Sequence, residues 1–158
     1  MKIGKGVEWA AHACAVLALL PAGAALSRDS LADYLGVPAP YLAKQLQALS
    51  RAGLVQTQRG VSGGYRLARD AEAISLWDVT AALEGTQPSF RCTEIRRNGP
   101  CGASAAECHD PCDIAAAFRN AEKASRDDLS AEQLRPLVSR SAAVAGAPRK
   151  QRTRSWCV

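Results

Sequence analysis

The sequence predicts a mainly α-helical fold with one small β-hairpin. Several stretches carry apolar residues at helical spacing and end at glycine or proline. One glycine-rich turn, at residues 59–64, separates two short segments that alternate like strands. With 158 residues the chain has the length of one domain, or of one small domain with an appendage.

Two helices are predicted before the first proline-rich break. Residues 7–20 are apolar or small at nearly every position, which indicates a mostly buried helix ended by the Pro-Ala-Gly at 21–23. A second helix is expected over residues 31–35, capped by Ser27 or Ser30 and closed by Gly36.

A third helix is expected over residues 41–52, after the Pro-Ala-Pro at 38–40. Its leucines 42, 46 and 49 fall at i, i+4 and i+7 and form one buried stripe. Gly53 suits the position just after the helix, and the strand-like segments 54–58 and 65–67 follow. Helix, turn, helix and a basic hairpin in this order are the plan of a winged helix-turn-helix domain, which binds DNA.

The rest of the chain divides by composition. A fourth helix is expected over residues 74–83, with Ser75 as its cap and Gly85 as its end. We therefore expect a DNA-binding domain over 1–85, a cysteine-rich loop over 86–112, a long helix over 113–138 and a basic disordered tail over 139–158. The apolar stripe of the long helix cannot be buried by that helix alone, which favours pairing with a second copy into a homodimer.

Positive charge is concentrated in two blocks. Residues 41–69 carry five basic and no acidic side chains, and residues 140–158 carry another five without an acid. Residues 70–139 have a net charge of −5. Such blocks favour a polyanionic partner, here double-stranded DNA, although a solvated face with a basic tail gives the same pattern.

The third helix and the hairpin carry the candidate DNA contacts. Side chains at the start of the helix reach base edges or phosphates, and glutamine and lysine suit adenine, guanine and phosphate groups. Glycines in the turn allow the backbone to approach the duplex closely. The candidates are Tyr41, Lys44, Gln45, Gln47, Arg51, Arg59, Gly60, Ser62 and Gly63.

Four cysteines, Cys92, Cys101, Cys108 and Cys112, lie within 21 residues of the loop. No secretory signal and no membrane span is recognised, so we expect a cytoplasmic protein whose thiols stay reduced. Clustered thiols there favour an iron–sulfur cluster, structural zinc or a thiol–disulfide switch. Neither a Cys–His nucleophile pair nor a phosphate-binding glycine loop is found, so an enzyme is not expected.

Four segments resemble the IscR/NsrR family of iron–sulfur transcriptional regulators. They are PYLAKQLQAL at 40–49, RAGLV at 51–55, RGVSGGYRLAR at 59–69 and ISLWDVTAALEG at 74–85. The resemblance implies a homodimer with one winged helix-turn-helix domain per subunit, a long dimerisation helix and a cluster held by cysteines of the preceding loop.

The segments GVEWAAH at 6–12 and CTEIR at 92–96 most resemble the RsrR branch of that family, which senses redox state with a 2Fe–2S cluster. That resemblance implies Glu8 and His12 as ligands, joined by Cys108 and Cys112 from the partner subunit's loop. Cys101 has no counterpart there, and Cys92 stays a further candidate. The ligand count and a 4Fe–4S cluster therefore remain open.

The resulting hypothesis is a redox- or nitric-oxide-sensing regulator, most simply a repressor, whose cluster gates operator binding. The alternative is a zinc or thiol-switch regulator with the same fold and no iron–sulfur cluster. The neighbouring Arg96 and Arg97 could offset the charge of a cluster, but we interpret them as a solvated pair. His109 is a spare ligand candidate or a solvated loop residue.

Overall fold

The computed structural model describes residues 3–60 and 63–144, with side chains as far as Arg140. Its elements confirm a mainly α-helical fold with one two-stranded antiparallel hairpin. In chain order they are α1 (Lys5–Leu17), α2 (Arg28–Leu35), α3 (Ala39–Arg51), β1 (Val55–Gln58), β2 (Gly64–Leu67), α4 (Leu76–Glu84), α5 (Asp113–Ala131) and α6 (Leu134–Val144). None of the helices in the described residues is both long and apolar enough to cross a membrane.

The chain forms two compact units. One, the winged-helix unit, contains the described residues up to Gly85 together with residues 129–144. The other, the cysteine-loop unit, contains Thr86–Asp128, that is, the loop and most of α5.

The core of the winged-helix unit is built from the apolar stripes that the sequence predicted. Leu42, Leu46 and Leu49 of α3 are all 0% exposed, and Leu31 of α2 is equally buried. Because these stripes fall on one side of each helix, burying them leaves the polar sides of α2 and α3 in solvent.

Local hydrogen bonds define the turn between α2 and α3. Of the two predicted caps, Ser27 is the one that caps α2, because its hydroxyl accepts a hydrogen bond from the Ser30 N–H at 3.0 Å. Gly36 adopts the left-handed conformation at the end of α2 with φ of 65°. Gly53 does the same after α3, with φ of 67°. Such positions suit glycine because it has no Cβ.

The hairpin pairs Val55 with Leu67 and Gln58 with Gly64 at its two ends. A third segment joins it, since Leu26 and Tyr65 exchange backbone hydrogen bonds of 3.0 and 2.7 Å. A Cβ at Gly64 would come within 2.3 Å of the Leu26 carbonyl oxygen, so this close approach requires glycine.

The α4 helix begins with a capping box, as the predicted cap at Ser75 implied. The Asp78 N–H donates to the Ser75 hydroxyl at 3.1 Å, and the Ser75 N–H donates to the Asp78 carboxylate at 2.8 Å. These bonds satisfy amide groups that would otherwise lack partners at the start of the helix.

The single helix expected over residues 113–138 is instead two helices, α5 and α6, separated at residues 132–133. The interruption is fixed by backbone hydrogen bonds of 2.9 Å from the Leu76 N–H to Glu132 O and from the Leu134 N–H to Ile74 O. Leu134 is fully buried, and α6 runs on to Val144. The predicted basic tail therefore starts inside a helix, and its residues from 145 on lie outside the described part.

The cysteine-loop unit is organised against α5. The Phe90 ring stacks on Phe118 with centroids 4.4 Å apart. The Ser89 and Phe90 N–H groups donate to the Glu122 carboxylate at 2.7 and 3.3 Å. Two aromatic rings and one carboxylate thus fasten the start of the loop to the helix.

Candidate DNA-reading surface and cysteine loop

The solvent side of α3 presents the predicted DNA contacts. Tyr41 is 58% exposed. Lys44 lies with its Nζ 5.8 Å from the centre of the Tyr41 ring. The side chains of Gln47 and Arg51 are also exposed. Since the leucines of α3 face the core, these four side chains form a polar, positively charged surface that a DNA groove could receive.

Gln45, also predicted to contact DNA, is only partly exposed and lies against α1. A Cβ at Gly6 would come within 2.9 Å of Gln45 Nε2, so the missing side chain at Gly6 makes room for this amide. The Gln45 Oε1 atom is buried and has no hydrogen-bond partner. One contact between α1 and the start of α3 therefore passes through this glutamine.

A second contact between the same helices is aromatic. The Trp9 ring meets the Tyr41 ring edge-on, with centroids 6.4 Å apart and an interplanar angle of 78°. Trp9 is on α1 and Tyr41 on the first turn of α3. A shift of α1 would consequently move the side chains that α3 presents to solvent.

The wing tip carries the second set of predicted DNA contacts. Arg59 and Gly60 are exposed, and Gly60 has φ of 116°. A Cβ at Gly63 would come within 2.5 Å of the Gln58 carbonyl oxygen, so glycine is required for this tight turn. Ser62 lies outside the described residues.

Glu8 and His12 lie four residues apart on α1, and both side chains are exposed. Residues at this spacing are neighbours on one helical face, so the carboxylate and the imidazole can reach a common ligand. Their neighbours Ala10 and Ala13 are fully buried. One side of α1 therefore belongs to the core, and the other offers two potential metal ligands.

In the cysteine-loop unit, Cys112 immediately precedes α5. The backbone N–H of Ala115 first, and then that of Ile114, hydrogen-bond to its sulfur, and the Arg96 guanidinium is close by. These groups hold the pKa of the Cys112 thiol below its usual value, despite a smaller opposing effect of desolvation. Because a thiolate is both the metal ligand and the nucleophile, this environment favours either chemistry.

Cys92 is held next to Glu94 and lies near Cys112. Its Sγ donates to Glu94 Oε1 at 3.4 Å, and its proximity is one of the smaller causes that lower the pKa of Cys112. The Glu94 N–H lowers the pKa of Cys92, but desolvation and the Glu94 carboxylate together raise it above its usual value. The two neighbouring cysteines thus have opposite pKa shifts.

Cys108 is partly buried at the end of one helical turn. Its N–H donates to the Ser104 carbonyl at 3.1 Å. The turn is capped by Ser104 and Glu107, whose carboxylate accepts from the Ser104 N–H at 2.8 Å. His109, the spare ligand candidate, has Nδ1 2.9 Å from Ala106 O and Nε2 3.1 Å from Asp110 Oδ2, so both ring nitrogens already have partners.

Cys101 is exposed on a separate loop. The Ala103 N–H donates to Arg96 O at 2.9 Å and closes this loop. A Cβ at Gly102 would come within 2.4 Å of Arg97 O, so the backbone segments pass very close to each other. Cys101 thus lies in a loop that is closed by a backbone hydrogen bond.

Within the described residues, no group of three or more His, Cys, Asp and Glu side chains is placed to hold one metal ion. The structure brings Cys92 and Cys112 together. Cys14 is a core residue with 0% exposure, and this burial raises the pKa of its thiol to about 12. Cys157 is outside the described residues.

Sequence reasoning missed two functional features. Arg96 was interpreted as half of a solvated pair, yet it hydrogen-bonds to Glu94 at 2.8 Å and to the Asp110 carbonyl at 3.0 Å. The Trp9–Tyr41 contact was not foreseen either. No local sequence signal pointed to the first, because Arg96 lies in a single 3₁₀ turn at Ile95–Arg97 and its partner Asp110 is fourteen residues away.

Comparison with known proteins agrees with this architecture. The family model described as "Rrf2: Iron-dependent Transcriptional regulator" matches residues 3–140. A Synechocystis protein named as an HTH-type transcriptional regulator is 40% identical over 90 residues, which are 57% of this chain and 61% of that protein. The chain therefore spans less than two thirds of that relative's length.

Two solved structures have the same fold. The IscR of T. potens is 22% identical, with a TM-score of 0.71 and 93% of both chains covered. CymR of B. subtilis, titled the global cysteine regulator, is 24% identical, with a TM-score of 0.69, covering 88% of this chain and 97% of CymR. At these identities the likeness establishes the winged-helix fold and not the ligand.

Proposed function

This chain belongs to the Rrf2 family of transcriptional regulators, and we propose that it is a homodimeric repressor whose 2Fe–2S cluster gates operator binding. The cluster would sense redox state or nitric oxide. One observation carries the proposal: α1 bears the exposed pair Glu8 and His12, and the same helix packs on the DNA-reading end of α3.

The operator would be read by α3 and the wing. Lys44, Gln47 and Arg51 would enter the major groove or contact phosphates from the exposed side of α3, and Arg59 would follow the backbone from the wing. Gln45, which packs on α1, would act mainly by fixing α3. The basic block over residues 41–69 supports this orientation because DNA is a polyanion.

The candidate ligands fit an iron–sulfur cluster by their chemistry. Cys112 has a lowered pKa and lies near a guanidinium, which suits a thiolate ligand. Glu8, His12 and Cys108 would complete the primary set, with Cys92 and Cys101 as further candidates and a 4Fe–4S cluster as the alternative nuclearity. A bound cluster would supply a one-electron centre, and an imidazole ligand would raise its reduction potential relative to a set of thiolates alone.

Dimerisation would bring the ligands of two subunits together, as the resemblance to the RsrR branch implies. Ile114 and Phe118 of α5 are 65% and 51% exposed. Two exposed apolar side chains one helical turn apart form a face that a second copy can cover. We therefore propose α5 as the dimerisation helix.

The route from sensor to DNA would run through α1. Any change in how Glu8 and His12 are engaged would shift α1, and the contacts of Trp9 with Tyr41 and of Gly6 with Gln45 would pass that shift to α3. A free-energy difference of about 1–3 kcal/mol between the two arrangements is enough for a 5–150-fold change in operator affinity.

The decisive experiment compares operator affinity in the oxidised, reduced and metal-free protein. The operator is first selected from random DNA with anaerobically purified protein. We expect at least about a fivefold difference between two of the three forms. The variant His12→Ala should abolish the difference, whereas Asp128→Ala, which removes an exposed carboxylate from α5, should retain it. Equal affinities in all three forms would refute the sensor.

A thiol switch without a cluster is the second candidate, and the proximity of Cys92 to Cys112 favours it. Visible absorption and iron content after anaerobic purification separate the two functions. A colourless, iron-free protein whose operator affinity responds to thiol oxidants supports the switch. Stoichiometric zinc in place of iron supports a structural metal site.

A further inference from the structure

A side-chain network joins the two cysteine-bearing segments of the loop. The first arm, residues 92–96, contains Cys92, and the second arm, residues 108–112, contains Cys108 and Cys112. The Arg96 Nη2 atom donates to Glu94 Oε2 at 2.8 Å and to the Asp110 carbonyl oxygen at 3.0 Å. One guanidinium therefore bonds to both arms.

On the first arm, the network reaches the thiol through Glu94. Its Oε2 also accepts from Arg96 Nε at 3.2 Å, while its Oε1 accepts from the Cys92 thiol at 3.4 Å. Among the described residues Glu94 is the one non-glycine with positive φ, at 52°. Because a side chain disfavours that conformation, it persists only when surrounding contacts impose it. The two bonds from Arg96 are such contacts.

On the second arm, the bonded carbonyl belongs to Asp110, which lies two residues from both Cys108 and Cys112. Cys112 is in turn fixed to the first turn of α5, since the Ala116 N–H donates to Cys112 O at 2.8 Å. The Arg96 side chain is 34% exposed, so its hydrogen bonds are partly shielded from water. Charge-assisted bonds of this kind are stronger than neutral ones.

We propose that Arg96 is the positioning residue of the cysteine loop: by bonding Glu94 and Asp110 at once, it holds the Cys92 arm against the Cys108–Cys112 arm. It sets the separation of thiols and is not itself a ligand. This inference rests on the proposed function only in treating those thiols as the sensor's working groups.

Proximity cross-linking of the metal-free protein tests this role. The full chain carrying Cys101→Ala, Cys108→Ala and Cys157→Ala keeps Cys92 and Cys112 as its reactive thiols, because Cys14 is buried in the core. Dibromobimane, a short reagent that becomes fluorescent when it bridges two thiols, should cross-link Cys92 to Cys112.

In that background Arg96→Gln should slow cross-linking roughly tenfold, because the charge-assisted hydrogen bonds to Glu94 and Asp110 are lost. Arg96→Lys should be intermediate, since an ammonium group lacks the planar fork that reaches two acceptors. The matched control is Arg97→Gln, which removes the same charge from the next residue and should cross-link like the parent. Equal rates for Arg96→Gln and Arg97→Gln would overturn the proposal.

Thermal unfolding of each variant shows whether slower cross-linking reflects loss of fold. If Arg96→Gln does not fold, Glu94→Gln provides the test, since it keeps the side-chain volume and weakens the same network. Unchanged cross-linking in Glu94→Gln would then contradict the role of Arg96.

The measurement uses neither a cluster nor DNA, so its failure leaves the sensor hypothesis intact. Conversely, slow cross-linking in Arg96→Gln together with state-independent operator affinity would refute the sensor and keep the positioning role. In cluster-loaded protein, the visible circular dichroism of Arg96→Gln should differ from that of Arg97→Gln, because displaced thiols change the ligand geometry.

Discussion

The winged-helix unit and the cysteine-loop unit are each stabilised internally by a different kind of contact. In the first, leucines from α2, α3 and α6 are fully buried and form a shared apolar core. In the loop over residues 86–112, no residue is fully buried, and the order comes from hydrogen bonds, ion pairs and one stacked pair of rings.

This difference suits the proposed roles of the two units, a rigid DNA reader and an adjustable sensor. Apolar burial is lost only when a core opens, so α3 and the wing keep their shape through small perturbations. Polar contacts at partly exposed positions contribute less each, and they can be exchanged when a thiol is oxidised or bound. Such weak polar contacts suit a region whose conformation must change when a thiol is oxidised or binds a metal.

Removal of a core leucine should have the largest effect. Leu46→Ala is expected to lower the free energy of unfolding by about 2–5 kcal/mol, through lost apolar burial and the cavity left behind. Ile95→Ala removes a comparable side chain from the loop, where it is 74% exposed, and should change stability by less than about 0.5 kcal/mol. Urea denaturation of both variants measures the contrast, and equal losses would contradict it.

The effect of removing a lysine on DNA binding should depend on the unit in which that lysine lies. Lys44→Ala on α3 is expected to weaken operator binding about tenfold and to reduce the salt dependence by about one phosphate contact. Lys123→Ala removes the same charge from α5, where the lysine pairs with Asp127, and should leave affinity nearly unchanged. Titrations at several salt concentrations test this, and an equal loss in both variants would exclude α3 as the reader.

Smaller effects on stability are expected from two serine–carboxylate pairs, the capping box of Ser75 and Asp78 in α4 and the turn pair of Ser104 and Glu107 in the loop. Ser75→Ala should cost about 1 kcal/mol of unfolding free energy, because it removes a 93% buried cap at the start of α4. Ser104→Ala breaks the corresponding pair with Glu107 in an exposed turn and should cost less. Thermal denaturation compares them, and a larger loss for Ser104→Ala would reverse the assignment of rigid and adjustable regions.

The smallest expected effect is a pH dependence at the surface of the winged-helix unit. The Glu72 N–H first, and then Arg135, hold the pKa of Asp70 below its usual value of 3.8. Because the folded value is the lower one, this pair stabilises the fold above about pH 4 and the benefit disappears as the pH falls through the folded pKa.

The variant Arg135→Gln should therefore be slightly less stable than the parent at neutral pH and converge with it in acid. The control is Arg135→Gln in an Asp70→Asn background, where the difference should depend less on pH because the Asp70 carboxyl no longer titrates. A stability difference for Arg135→Gln that is the same at pH 7 and pH 2.5 would show that Asp70 is not its cause.

Local patterns were sufficient for most of the winged-helix unit. Ser75 was recognised as a cap, and Ser27 as one of two candidates, because a hydroxyl just before an apolar stripe can accept hydrogen bonds from the free N–H groups of a helix. Gly36 and Gly53 marked helix ends because each takes a positive φ there. These signals lie within a few residues of the feature that they specify.

The cysteine loop and the end of α5 were less accessible. Residues 131–133 carry no glycine or proline, and the break between α5 and α6 is held by Ile74 and Leu76, more than fifty residues away. Likewise, the spacing of the cysteines did not reveal that Cys92 lies near Cys112, or that Arg96 bonds to both Glu94 and Asp110.

Local sequence patterns account for the winged-helix fold, the polar side of α3, the basic wing and the clustered thiols. Each follows from periodicity, caps and composition, which act locally along the chain. Three features became visible in the folded chain alone: α1 packs on α3 through Gly6 and Trp9, α6 is a separate helix, and Arg96 links the two cysteine arms. Those features are contacts between residues distant in sequence, and their free energy depends on geometry that no local pattern encodes.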